Sequence, residues 1–467
     1  MLKRILFTVF ILYFALPKVI AAVDIVYPEK SNLTINSNET FFTGNVDDSQ
    51  PVTINKIPVK LYENKYFIHM VPLEYGENKI VIKSGADEKI YKIYRKKSSE
   101  IQPQVQTQTQ NMKKDIIPNI IYSAKTNNNR STLREKPSAY ANRIIELKEG
   151  VILNLDSIQN DYYHLAIKGN DYWIHKSNLD DIKEVNDVNY AHLKKHKHYE
   201  DEHYCYDKFY LSHVVPYSLL QENNQIKLTI YNVSNGNTSL NTYEYTVTPQ
   251  KILGYDCIVY NNSIILRYAK IPKIKDKMLP LKGINIFVDA GHGGIEKGTI
   301  SPERIFEKEM TLDIANTLIK VLKAGGANVS YSRLDDTQVD LYKRVDLAQE
   351  NDALISVSIH VNSLPYGKNP YVKHGTEVHY YNENAKNLAQ IVHNNLANDL
   401  NLKPNGIHKS SFALTRNTNP VSILVETAYM QNPDEYRFLK NPVNRRNIAK
   451  SIKNSLEEYI LSVSECN

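Results

Sequence analysis

Ile284-Asn285-Ile286-Phe287-Val288-Asp289-Ala290-Gly291-His292-Gly293-Gly294 is an apolar run that ends on an acid and breaks into glycines around a single histidine. The run Ile284 to Val288 reads as a buried strand, and the flanking glycines let the backbone turn sharply about an imidazole. Downstream, Met310, Leu312, Ile314, Ala315, Leu318, Ile319 and Leu322 recur at helical spacing until Gly325-Gly326 supplies a stop. Strand-like runs follow at Ala327 to Ser332, Ala353 to Ile359, Thr376 to Tyr381 and Val421 to Val425, with helices over Asn384 to Leu400 and Asn444 to Leu461. This alternation predicts an α/β domain over residues 283–462, a mixed sheet covered by helices.

Three potential metal ligands stand at strand ends or in the loops that follow them in that domain, where α/β sheets place their sites. His292 follows the first strand, Glu307 ends a polar loop just before the helical run, and His360 follows Ile355-Ser356-Val357-Ser358-Ile359. Two imidazoles and one carboxylate suit a catalytic zinc that keeps a fourth position open for water, and such water can reach a pKa near ~7. Glu426, at the end of Val421 to Val425, overlooks the same sheet edge and is placed to act as general base. Singly, each of these residues is more often an ordinary surface or core group; their joint occurrence at junctions favours a metal site.

The combination Asp289-Ala290-Gly291-His292-Gly293-Gly294, Glu307-Lys308, Ser358-Ile359-His360-Val361-Asn362 and Leu424-Val425-Glu426-Thr427 resembles the zinc-dependent N-acetylmuramoyl-L-alanine amidases of the amidase_3 type. The resemblance runs from about Gly283 to Leu461 and extends to Ser332-Arg333, Leu341 with Arg344, and Leu414 to Asn417. It implies Zn2+ on His292, Glu307 and His360, with Glu426 as catalytic base and the amide joining N-acetylmuramic acid to L-alanine of peptidoglycan as substrate. By the same resemblance Arg333, Arg344 and Arg416 are expected to form structural ion pairs, and substrate-binding residues stay unassigned. Glu296 and Thr299 stand where the family usually has Asp and Ala. The connection from Asn362 to Gly375 is too short for the long blocking helix that some periplasmic relatives carry there, so a zinc domain cut free of everything before Gly283 is expected to stay active. Two other readings stay open: a wall-binding scaffold with a decayed hydrolase domain, and a zinc peptidase acting within the stem peptide.

The remaining sequence divides into expected modules. Lys3 and Arg4, the apolar run Ile5 to Leu16 and the small residues Ala21 and Ala22 read as a cleaved signal peptide over 1–22. The apolar run is shorter than the ~20 residues of a membrane span, so no stable span is expected after cleavage. Residues 23–97 show short β-type runs and resemble immunoglobulin-like β-sandwich modules, read here as a spacer. Residues 98–119, with Gln102-Pro103-Gln104-Val105-Gln106-Thr107-Gln108-Thr109-Gln110, are a linker. Residues 120–182, with Leu133-Arg134-Glu135-Lys136-Pro137-Ser138 and Tyr172-Trp173-Ile174, resemble bacterial SH3-like barrels, with Trp173 in the core. Residues 183–282 form a β-rich connecting unit. At its start His192, His196, His198, His203 and Cys205 are possible metal ligands, but they lack the paired spacing of zinc modules, and a solvated polar connector explains them equally well.

A chain of 467 residues needs several cores. Hydrophobic residues at 42% and charged residues at 23% fit a globular protein and exclude a polytopic membrane protein. The net charge of +6 is scattered and comes with no nucleic-acid motif, so nucleic acid is discounted and an anionic partner, cell wall or membrane surface, is favoured. Only Cys205, Cys257 and Cys466 are present, and Cys205 with Cys257 is the one pairing considered. The chain is expected to be an exported monomer, acting in the periplasm or the extracellular wall.

Overall fold

The computed structural model describes residues 23–47, 50–97, 121–234 and 242–466. The expected signal peptide and the whole of the expected linker lie outside these residues. Among the described residues, no helix is long and apolar enough to cross a membrane. The chain forms two compact units. Among the described residues, the first comprises those up to 97 together with 301–304 and 364–370, and the second comprises the others.

In the first unit a three-stranded sheet (Val23–Tyr27, Glu39–Val46, Tyr66–Pro72) and a five-stranded sheet (Asn32–Ile35, Asp87–Arg95, Gly76–Ser84, Val52–Ile54, Ile57–Pro58) share one core. Alternation drives it, as in Lys79-Ile80-Val81-Ile82, where Ile80 and Ile82 point in to meet Phe42, Phe67 and Ile93. Within the same unit Arg304 donates from Nε and Nη2 to the two carboxylate oxygens of Asp24, and Tyr27 stacks between Phe41 and Tyr366.

The second unit begins β-rich. Strands between Ile121 and Val185 form a five-stranded and a three-stranded sheet, and those between Ala191 and Ala269 form another such pair. One continuous core joins both stretches, from Leu133, Leu153 and Ile174 to Phe209, Leu228 and Leu266. Trp173 is buried. Cys205 and Cys257 are both free thiols on strands either side of Ser263–Ala269, so they do not pair.

The C-terminal part runs β1 (Asn285–Ala290), α1 (Glu307–Ala324), β2 (Asn328–Tyr331), α2 (Leu341–Glu350), β3 (Ile355–Asn362), β4 (Thr376–Tyr380), α3 (Glu383–Leu400), β5 (Pro404–Lys409), β6 (Val421–Tyr429), α4 (Pro433–Lys440) and α5 (Pro442–Val463). The sheet order is β2-β1-β3-β6-β4-β5. All neighbours are parallel except β4 against β6, which makes the sheet mixed. Helices α1 and α5 pack together, as do α3 and α5. The strands end later than the apolar runs suggest. β3 and β6 continue past Ile359 and Val425, so His360 and Glu426 lie inside strands, directly opposite one another. Between Asn362 and Gly375 the chain makes turns and no helix.

Candidate metal and catalytic site

The parallel pairing of β1 with β3 brings His292 and His360 to one edge of the sheet, and α1 starts on Glu307 beside them. An acid in the first turn of a helix meets the positive end of its dipole. Glu307 is buried, and each carboxylate oxygen is used twice. Oε1 lies 3.0 Å from His360 Nδ1 and accepts from the Val361 amide at 3.0 Å. Oε2 lies 3.1 Å from His292 Nε2 and accepts from the Thr299 amide at 2.9 Å. One ligand atom from each of the three residues falls within 4.8 Å of the others. Among the described residues this is the only group of three or more metal-ligating side chains so gathered.

Two glycines make the space. A Cβ on Gly291 would stand 2.5 Å from His360 Cε1, and one on Gly298 would stand 2.5 Å from Glu307 Oε2 and 2.7 Å from His292 Cδ2. His292 itself adopts φ of 61°, a left-handed turn uncommon for a side-chain-bearing residue. That conformation is held from outside the loop. Arg344 donates to Asp289 Oδ1 at 2.7 Å, to the Ala290 carbonyl at 2.7 Å and to the His292 carbonyl at 2.8 Å. Ser358 Oγ donates to the other Asp289 oxygen at 2.6 Å. Arg333 donates to the Gly291 carbonyl at 2.8 Å and to that of Lys308 at 2.9 Å. Of the three arginines expected in ion pairs, Arg344 alone makes one; Arg333 is spent on carbonyls, and Arg416 donates to the Ser411 carbonyl at 3.0 Å.

The electrostatics follow from burial and charge. Burial alone would raise Glu307, but hydrogen bonds from His292 and His360 outweigh it and hold the carboxyl well below its usual range. Burial lowers His360, yet its contact with Glu307 prevails and lifts it to about 9. Burial raises Glu426, and the neighbouring charges of Glu307 and Glu377 add to that, against His360, bringing it to about 8. Glu426 Oε2 is buried without a hydrogen-bond partner. An orphaned carboxylate oxygen beside two imidazoles and an ionised glutamate is a donor set that a divalent cation fits, because the cation would supply the missing positive charge.

Glu377 escaped the reading of the sequence. It faces Glu426 across the β4–β6 pair and accepts from Lys373 Nζ at 2.6 Å, Tyr429 OH at 2.5 Å and Asn405 Nδ2. The available signal was an acid inside the strand-like stretch that forms β4. Burial raises Glu377, but contacts from His379, Lys373 and Tyr429 overcome it, to about 2.

The histidine-rich upstream segment does not gather into a ligand set. His196 Nε2 and His198 Nδ1 lie 2.9 and 3.0 Å from the same oxygen of Asp207, which also accepts from Tyr245 OH at 2.9 Å. His192 bonds Ser234 Oγ at 2.7 Å, and Cys205 lies toward Glu200.

Residues 286–458 match the Amidase_3 family, described as N-acetylmuramoyl-L-alanine amidase. Over 184 residues, 38% of the chain, it is 31% identical to the uncharacterized protein YqiI of Bacillus subtilis (strain 168), covering 86% of that protein. It is 33% identical to the N-acetylmuramoyl-L-alanine amidase LytC of the same strain, again over 38% of the chain, but there it spans only 36% of the relative's length. Among solved structures, an N-acetylmuramoyl-L-alanine amidase from Clostridium difficile 630 aligns at 31% identity over 39% of this chain and 98% of that one, with a TM-score of 0.37. The ordered run of His292, Glu307, His360 and Glu426 falls wholly inside the matched residues, and the chain belongs to the Amidase_3 family of N-acetylmuramoyl-L-alanine amidases.

Proposed function

We propose that this chain is an exported, zinc-dependent peptidoglycan hydrolase that cleaves the amide between N-acetylmuramic acid and the L-alanine of the stem peptide. The observation that carries the reading is the convergence of His292, Glu307 and His360 within 4.8 Å, with the unpartnered oxygen of Glu426 on the strand alongside. His292, Glu307 and His360 would hold the metal. Bound zinc supplies a Lewis acid for the amide carbonyl and water activation near neutral pH.

The remaining chemistry belongs to the protein. Glu426 takes the proton of the attacking water and delivers it to the departing L-alanine nitrogen, which leaves as an amine. Its burial on the strand beside His360, with one oxygen unpartnered, leaves it placed to accept and return that proton. Arg344 and Arg333 fix the loop that carries His292, and Glu377 fixes the charge and hydrogen bonding across from Glu426. The two sheets of the first unit are read as an immunoglobulin-like spacer, and the sheets between Ile121 and Val185 as an SH3-like wall-directed module. The enzyme would act as a monomer in the periplasm or the extracellular wall.

A Glu426→Gln enzyme tests the base. Its turnover on purified wall should fall about 10²- to 10⁴-fold, the usual worth of a general base, with its metal content unchanged. Wall lysis at the wild-type rate would refute the assignment.

A further inference from the structure

Within the second unit, the strands Ser131–Arg134 and Arg143–Leu147, helix α2 and the segment 413–419 surround a cavity of about 240 Å3. Its charged lining is Arg130, Arg143, Lys148 and Arg416 against Glu146 and Asp256. Part of that charge is already matched: Arg130 pairs with Asp346, and Asp256 is gripped by Arg267 at 2.7 and 2.9 Å. Arg143 and Arg416 are different. Among the described residues, the side chain of Arg143 donates to Thr132 Oγ1 at 3.2 Å and that of Arg416 to the Ser411 carbonyl at 3.0 Å, and neither has a carboxylate. Arg134 lies opposite Arg143 in the strand pair and donates to the Ala141 carbonyl at 2.7 Å. Burial lowers its proton affinity, and the charges of Arg143 and Arg416 lower it further. Arg143 and Arg416 thus line one cavity without a carboxylate bonded to either, and Arg134 stands opposite Arg143 on the neighbouring strand, an arrangement that a bound anion would relieve.

The rest of the lining selects the anion. Tyr217, Tyr342, Tyr381, Ile145 and Val345 offer aromatic and aliphatic surface, and Glu146 would repel a chain of phosphates while pairing with an ammonium group. A guanidinium fork matches the plane of a carboxylate. We infer that this cavity binds the carboxylate-bearing end of a peptidoglycan stem peptide, with Arg143 and Arg416 as its anion-pairing residues. This rests on the proposed function and extends it from the scissile bond to recognition of the peptide beyond it. Helix α2 connects the two places: Tyr342 and Val345 line the cavity, and Arg344 of the same helix holds the His292 loop.

The test is calorimetric titration of the full-length, zinc-loaded chain with the free tetrapeptide L-Ala-γ-D-Glu-L-Lys-D-Ala. The peptide should bind, and Arg143→Gln should weaken it about tenfold, the scale of one lost charge-assisted hydrogen bond, with Arg143→Lys intermediate. Melting temperatures of the three proteins should agree. On purified wall the Arg143→Gln defect should fall on KM rather than kcat. Absence of tetrapeptide binding would overturn the inference while leaving amidase activity standing, whereas binding by a chain that releases no L-alanine amine would sustain the cavity and sink the proposed function. A defect seen only on wall that retains its phosphate polymers, and lost on stripped wall, would also overturn the assignment to peptide.

Discussion

The chain holds two clusters rich in histidine, and they are built in opposite ways. In the segment Ala191–Glu200 two histidines two residues apart share a face and meet one acid, Asp207, on the neighbouring strand. One nitrogen of each reaches the same oxygen of that acid, which Tyr245 also serves, and among the described residues the two histidines and the acid do not converge as a metal-sized group. In the C-terminal sheet His292, Glu307 and His360 come from three separate segments. Gly291 and Gly298 leave the space, and Arg344 and Arg333 hold the backbone, so the donor atoms face one point. Density of ligand-type residues along a sequence therefore says little. Convergence from separate strand ends, with cleared space and a buried acid, says much more.

The sharpest way to break this comparison is to remove histidines from each cluster. His360→Ala should abolish both metal binding and wall hydrolysis, while a His196→Ala, His198→Ala double variant should keep full metal content and rate, as measured by elemental analysis and turbidity of wall suspensions. Metal lost from the upstream variant would show that the two clusters are alike after all. Next in size is the support of the His292 loop. Arg344→Met leaves Asp289 buried without its counter-ion, and loss of one partner from such a pair costs about 3–5 kcal/mol, read by chemical denaturation; an unchanged midpoint would contradict the pinning role. The smallest effect concerns Glu377. Its folded pKa of about 2 lies below the ordinary 4.5, so its contribution to stability is complete above that range and is lost as the pH falls toward 2. The stability gap between wild type and Glu377→Gln should thus be widest above about pH 5 and close on acidification.

The four central side chains were legible because His292, His360 and Glu426 each follow an apolar run and Glu307 opens a helical pattern, features visible in one dimension even though His360 and Glu426 lie inside their strands. What was not visible came from pairing across distance. Glu377 matters only because β4 lies antiparallel to β6 and sets it against Glu426, 49 residues further on. Asp207 gains its meaning from β-pairing with the His198 strand and from Tyr245 in another sheet. Helix α2 has few apolar positions, with Val345 and Ala348 buried among charged residues, and its periodicity is correspondingly faint. β5 begins Pro404-Asn405-Gly406 and sits at the sheet edge, where no apolar alternation is required. The ends of β3 and β6 ran past the apolar residues because His360 and Glu426 keep their ladder pairing while their side chains serve the site.

Mass spectrometry of wall digested by the full-length protein tests the central claim most directly. Products should be stem peptides with a free L-alanine amine and glycan strands carrying the bare lactyl carboxylate of N-acetylmuramic acid, and Glu426→Gln should release neither. New amine termini within the stem peptide, with the muramoyl amide intact, would contradict the account.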